Sequence, residues 1–164
     1  MKIIKVKTDS KNYEIKVGND LLGTIPLKKL VSQKDILLII DNKVPELLIN
    51  KFKNNLKKSS SKKINSIKIN ASENNKNMSY LTKVYDYLIR NNYSRDCVIF
   101  GVGGGITCDM TGFIASTFLR GVDFVLVPTT LLSQVDASIG GKTGVNHKGL
   151  KNMIGTFNQP AQVI

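Results

Sequence analysis

Residues 97–142 read CVIFGVGGGITCDMTGFIASTFLRGVDFVLVPTTLLSQVDASIGGK, and the fold follows from how this stretch divides. The apolar run 97–100 has the length and composition of a buried strand, which Gly101, Gly103, Gly104 and Gly105 break at once. Beyond them Ile106, Met110, Phe113, Ile114 and Thr117 recur at helical spacing, predicting a helix from the loop to about residue 119. Strand, glycine loop and helix can cradle a phosphate. Glycine puts no Cβ in the path of a ligand's oxygens, and the first N–H groups of the helix, backed by its dipole, point to the same place. The fingerprint G-x-G-x-x-G is not met, since the sixth position is Ile106 counted from Gly101 and Cys108 counted from Gly103. On the loop alone, a tight turn and a phosphate site both stand.

Downstream, Arg120-Gly121 closes the helix and residues 123–127 form a strand stopped by Pro128. Thr129 and Thr130 either cap the next helix or meet a ligand at the sheet's end. That helix, from 131 to about 139, carries Asp136 among apolar and small residues, a spacing that predicts partial burial and hence a need for a partner. Gly140-Gly141-Lys142-Thr143 mimics the end of a P-loop, but Asp136 stands where that motif needs glycine, which excludes an ATPase reading. Residues 144–152, with Asn146, His147, Lys148, Lys151 and Asn152, read as a long polar loop serving a site. His147 is the single histidine and is expected to be exposed, so no metal site within this chain can use two imidazoles.

Upstream, residues 1–8 and 12–17 alternate as an edge hairpin, and Asn19-Asp20 is placed to cap a short helix broken at Pro26. Residues 35–40 form a continuous apolar strand ending in Asp41, a carboxylate placed to accept from sugar hydroxyls or to make a plain turn. Pro45 starts a helix to about 58, residues 57–63 make a Lys/Ser loop, and 64–69 form another strand. Glu73 and Lys76 read as a solvated pair in the polar loop 70–77, and Leu81, Val84, Tyr85 and Leu88 stripe a helix over 78–90. The alternation predicts an α/β fold: a Rossmann-like, mostly parallel sheet flanked by helices, with an N-terminal β-hairpin, formed by residues 1–164 as one domain. Ligands then bind beyond the carboxyl ends of the strands, where Asp41, the Glu73/Lys76 loop and the glycine loop fall.

The formal charge is +12, but 19 Lys+Arg against 8 Asp+Glu lie before residue 91 and only 5 against 4 after it. The excess sits away from the glycine loop, mixed with Asn, Ser and Ile rather than stacking aromatics, so a solvated surface is expected and not a nucleic-acid groove. No apolar run reaches eighteen residues and no charged-then-apolar leader opens the chain, which predicts a cytoplasmic protein without membrane attachment. Cys97 and Cys108 are expected to be free buried thiols.

The run 103–147, GGGITCDMTGFIASTFLRGVDFVLVPTTLLSQVDASIGGKTGVNH, followed by KNMIGTFNQP, closely resembles the N-terminal half of the 3-dehydroquinate synthase family, a branch of the sugar-phosphate cyclases. The resemblance is dense over 98–164 and thinner but position-consistent upstream. It implies a shikimate-pathway lyase for aromatic amino acid biosynthesis, using NAD and a divalent metal, zinc or cobalt, to convert the phosphorylated sugar acid DAHP to 3-dehydroquinate with loss of phosphate. Carried over residue by residue, Gly103, Gly104, Gly105, Ile106, Thr107, Cys108 and Asp109 surround the NAD pyrophosphate. Asp41 binds the adenosine ribose, Glu73 and Lys76 contact the adenosine end, and Thr129 and Thr130 reach the nicotinamide half. Lys142, Lys151 and Asn152 meet substrate or cofactor, Asp136 lies near the substrate hydroxyls, and Arg120 reaches the substrate phosphate across the interface of a homodimer.

Ala71-Ser72 stands where the family commonly has an acid and a glycine, and Lys148-Gly149-Leu150 replaces a frequent Pro-Leu-Gly. In the family the metal ligands, one Glu and two His, lie in a helical C-terminal domain that this chain does not carry. The expectation is therefore a chain without metal ligands, inactive alone and weak for NAD. The alternatives are a related cyclase, a glycerol-type dehydrogenase domain, or a non-catalytic fragment; the Lys142, Lys151 and Asn152 cluster favours an anionic substrate over a neutral polyol.

Overall fold

Three strands are almost wholly apolar: β3 (Ile36–Asp41), β5 (Val98–Gly103) and β6 (Asp123–Pro128). Only strands covered on both faces tolerate that composition, and in a computed structural model, which describes residues 1–60 and 62–164, they lie parallel at the centre of a seven-stranded sheet. Outward from β3 lies β4 (Ile64–Ile69); outward from β6 lie β9 (Gln162–Val163), β2 (Tyr13–Val17) and β1 (Lys2–Val6). β1 and β2 form the expected antiparallel hairpin, which joins the parallel part of the sheet through β9.

Side chains alternate between the two faces. Ile36, Leu38, Ile40, Phe100, Val125 and Val127 pack under the short helices α1 (Leu21–Thr24) and α2 (Lys28–Val31) and the longer α3 (Glu46–Ser59). There Phe52 meets Phe100 edge-on at 5.5 Å. Leu37, Ile39, Ile99, Phe124 and Leu126 pack under α4 (Met78–Arg90) and α5 (Gly105–Thr117). Asn77 caps α4, its Oδ1 accepting from the Tyr80 amide at 2.9 Å. Asp20 caps nothing: it holds φ 52 before α1 and pairs with Lys51 instead. Ser61, in the expected Lys/Ser loop, lies outside the described residues. Among the described residues no helix is long and apolar enough to cross a membrane.

The chain leaves β3 for the edge strand β4, then returns past β3 to β5 and on to β6. The strand order thus reverses between β3 and β5, and the crevice beyond their carboxyl ends is where such sheets take ligands.

Two expectations fail downstream. Residues 144–152, expected as a loop, lie within a hairpin, β7 (Lys142–His147) against β8 (Leu150–Phe157), turned at Lys148 (φ 49) and Gly149 (φ 78). Buried Val145 and half-buried Ile154 pack inward beside α5, while Lys142, His147, Lys151 and Asn152 stand exposed alongside Leu150, Met153 and Phe157, so the sequence shows no clean alternation and reads as loop. The helix expected over 131–139 is present over 131–137, π-helical from Ser133 to Ala137, but Asp136 on it is exposed rather than partly buried. Hydroxyls of Thr130 and Ser133 interlock at its start at 2.9 Å, left-handed Gly140 (φ 85) and Gly141 (φ 72) follow its end, and Leu131, Leu132 and Val135 stand in the open.

Candidate functional site

β5 runs out at Gly103, Gly104 is extended, and α5 starts at Gly105. The four glycines divide their work. Gly101 and Gly103 belong to the strand on the α5 side: a Cβ at Gly103 would stand 2.5 Å from Thr107 Oγ1 and 2.9 Å from Asp41 Cβ. These two glycines therefore seat the helix against the sheet, a correction to the reading that all four stand clear for a ligand. Gly104 and Gly105 form the half-buried rim, where an added Cβ would stand 3.3 Å from Thr130 Cγ2 and 3.1 Å from Ala137 Cβ.

The first main-chain bond there runs from the Cys108 amide to Gly104 O at 3.0 Å. Among the described residues no backbone acceptor meets the amides of Gly105, Ile106 and Thr107. Three free N–H groups at the positive end of a thirteen-residue helix form an anion cradle. Thr107 Oγ1, fully buried, has no hydrogen-bond partner either. The Cys108 side chain turns into the core, where burial pushes its thiol up to about 12, and its amide is already bound.

The rim is flanked on both sides. Asp41 closes β3 at 8% exposure, its Oδ1 accepting from the Lys43 amide at 3.1 Å. Beyond β6 the Thr129 amide donates to Gly103 O at 2.9 Å, leaving its hydroxyl exposed. Thr130 performs the capping role considered for it, bonded to Ser133.

One turn into α5, Asp109 anchors a second cluster. Its Oδ2 accepts from Lys76 Nζ at 2.5 Å, and the same ammonium donates to Asn152 Oδ1 at 2.6 Å. Lys76 is thus no solvated loop lysine: it is 4% exposed, while Glu73 lies in the open. Burial raises the Asp109 carboxyl above the usual range and outweighs the Lys76 hydrogen bond and charge that pull the other way, with the negative charges of Glu73 and Asp136 adding to the rise. Lys142 joins Asp109 and Asn152 in lining a cavity of about 370 Å³. Lys151 opens instead onto a separate cavity of about 400 Å³ with Glu73 and His147, which is exposed as expected.

Arg120 is not brought together with these residues. Left-handed at φ 67, it lies past the far end of α5, about 20 Å from Gly105 at 1.5 Å per helical residue. It lines a cavity of about 750 Å³ at the amino ends of the strands with Lys11, Lys34, Arg95 and Asp123. Asn146, which the sequence places only as one member of the polar loop, ties the hairpin to Glu73: its Nδ2 donates to Glu73 Oε1 at 2.9 Å.

A model of the N-terminal domain of 3-dehydroquinate synthase matches residues 66–164. The chain is 44% identical to the 3-dehydroquinate synthase of Pelagibacter ubique, over 98% of this chain and 44% of that protein. It is 41% identical to that of Hydrogenovibrio crunogenus, over 100% and 45%. The chain spans about half the length of the curated relatives it matches. A crystal structure of 2-deoxy-scyllo-inosose synthase shares the fold with TM-score 0.88 at 23% identity, over 99% of this chain and 46% of that one. 2-epi-5-epi-valiolone synthase from Streptomyces hygroscopicus, solved with NAD+ and Zn2+ bound, superposes with TM-score 0.82 at 28% identity, over 99% and 44%. The resemblance read from residues 103–147 is borne out, and the chain belongs to the 3-dehydroquinate synthase N-terminal family.

Proposed function

We propose that this chain is the NAD-binding half of a cytoplasmic 3-dehydroquinate synthase, acting on a phosphorylated sugar acid. The observation that carries the reading is the set of free amides of Gly105, Ile106 and Thr107 at the strand-order reversal, with Asp41 on one side and Thr129 on the other. Those amides hold the diphosphate, and the Asp41 carboxylate accepts from ribose hydroxyls. Glu73 and Lys76 border the adenosine end, and Thr129 and Thr130 border the nicotinamide. When bound, NAD supplies the transient oxidation of a ring hydroxyl that acidifies the neighbouring C–H. Lys142, Lys151 and Asn152 give a carboxylate and a phosphate their counter-charges and donors, and exposed Asp136 lies near enough for its charge to act on Asp109. Arg120, at the opposite end of the sheet, serves a substrate phosphate only from a second copy in a homodimer.

A metal does not fit this chain: among the described residues no three His, Cys, Asp or Glu side chains gather into a ligand set. We therefore assign no step to a metal here and expect this polypeptide alone to turn nothing over. Calorimetric titration with NAD tests the reading. We expect weak binding, matched by ADP-ribose, and weakened at least about tenfold by Asp41→Ala, the loss expected for one hydrogen bond to a charged group. Absence of NAD binding, even with the remaining half of a relative supplied, overturns it.

A further inference from the structure

We infer that Asn146 is a positioning residue: it fixes Asn152, and through it the Lys76 ammonium, on the face where the nucleotide is proposed to lie. The β7–β8 pairing slips between Val145 and His147, which takes Asn146 out of the ladder. A slip of this kind re-aims the residue it displaces. The Asn146 amide donates across to Lys76 O at 2.7 Å, and the residue bridges to Asn77. Its side chain is fully engaged. Nδ2 donates to Glu73 O at 3.2 Å and to Glu73 Oε1 at 2.9 Å, and Oδ1 accepts from the Asn152 amide at 2.9 Å.

Asn152 is held at φ 55, a left-handed conformation that asparagine tolerates without preferring. Held there, its Oδ1 meets Lys76 Nζ at 2.6 Å, opposite Asp109. Asn146 therefore grips both ends of Lys76, the carbonyl directly and the ammonium through Asn152. Two donors and an acceptor on one planar group are what this geometry requires. Aspartate keeps the acceptor for Asn152 but loses both donors and faces Glu73 with like charge, and alanine keeps neither.

What the cluster serves rests on the nucleotide reading above, but the positioning is testable without it. Amide hydrogen exchange followed by NMR on the whole chain is the primary measurement. In Asn146→Ala the Asn152 amide should exchange about tenfold faster or more, while the ladder amides of β7 and β8 keep their protection. In Asn146→Asp, which retains the acceptor, the Asn152 amide should stay protected. NAD affinity should fall about tenfold in Asn146→Ala, and Asn152→Ala added to it should change little further, because both remove one linkage. Unchanged exchange at Asn152 in Asn146→Ala overturns the inference. So does a collective loss of protection across both strands, which marks a merely structural role, and so do effects on NAD affinity that add in full. Should the unmodified chain bind no NAD at all, the nucleotide reading falls and exchange at Asn152 alone decides the positioning.

Discussion

Lys76 Nζ and the Asp109 carboxylate meet at 2.5 Å between the Glu73–Asn75 turn and the start of α5, with the lysine side chain 5% and the aspartate 23% exposed. Removing one member leaves the other charge shielded from water without its partner, which costs more than the pair contributes. Lys76→Met should lower stability by about 2–4 kcal/mol in urea unfolding at neutral pH. Adding Asp109→Asn should recover more than half of that loss, because the stranded charge goes with it.

Asp123 works in the opposite electrostatic sense. Burial raises its carboxyl, but hydrogen bonds from Lys34 at 2.7 Å and Lys11 at 2.9 Å outweigh burial and hold it below the ordinary 3.8. A depressed folded value contributes stability above the unfolded value, lost as pH falls through the folded one. Asp123→Asn should therefore be less stable than the unmodified chain at pH 7, and the difference should close in strong acid. Asp109, raised in the folded chain, gives the reverse slope: stability falls as pH rises from 3.8 through its folded value. Acid titrations of the two variants separate the slopes.

Gly103→Ala should cost about 1–3 kcal/mol, because the new methyl meets Thr107 and Asp41 and must push α5 off the sheet. The displaced helix start should weaken NAD at least about tenfold in the same titration. At Gly140 an added Cβ meets nothing within 4 Å, so Gly140→Ala should cost only the left-handed strain of φ 85, about 1 kcal/mol. Thermal unfolding ranks the two.

Cys97 and Cys108 should both resist iodoacetamide at pH 7.5 in the folded chain and react in urea. Burial pushes Cys97 up to about 11 and Cys108 to about 12, leaving almost no thiolate, and both are free. Mass spectrometry of the alkylated chain counts the modified sites.

The sheet was legible where one cause acts alone. Continuous apolar runs made β3 and β5 readable, and helical spacing gave α4 and α5 to within a few residues. Asp41 and the glycine rim followed from strand ends. The burial of Lys76 was not legible, because the residue that covers it, Asn152, lies 76 positions along the chain. Residues 142–157 hid a hairpin for a related reason: one face of it packs on α5, so the alternation is diluted by glycines at 144, 149 and 155. At residues 131–139 the helix was legible, but the exposure of Asp136 was not, because its neighbours Leu131, Leu132 and Val135 also stand in the open instead of covering it.

The two-residue strand β9 sets the order in which the molecule can assemble on the ribosome. Among the described residues the N-terminal hairpin has β9 as its in-sheet neighbour beyond itself, so β1 and β2 wait for a strand made only after β3, β4, β5 and β6. A nascent chain halted before residue 162 should display residues 2–17 to proteases while β3, β4, β5 and β6 have already zipped, and closure of that long loop should be the slow phase of refolding.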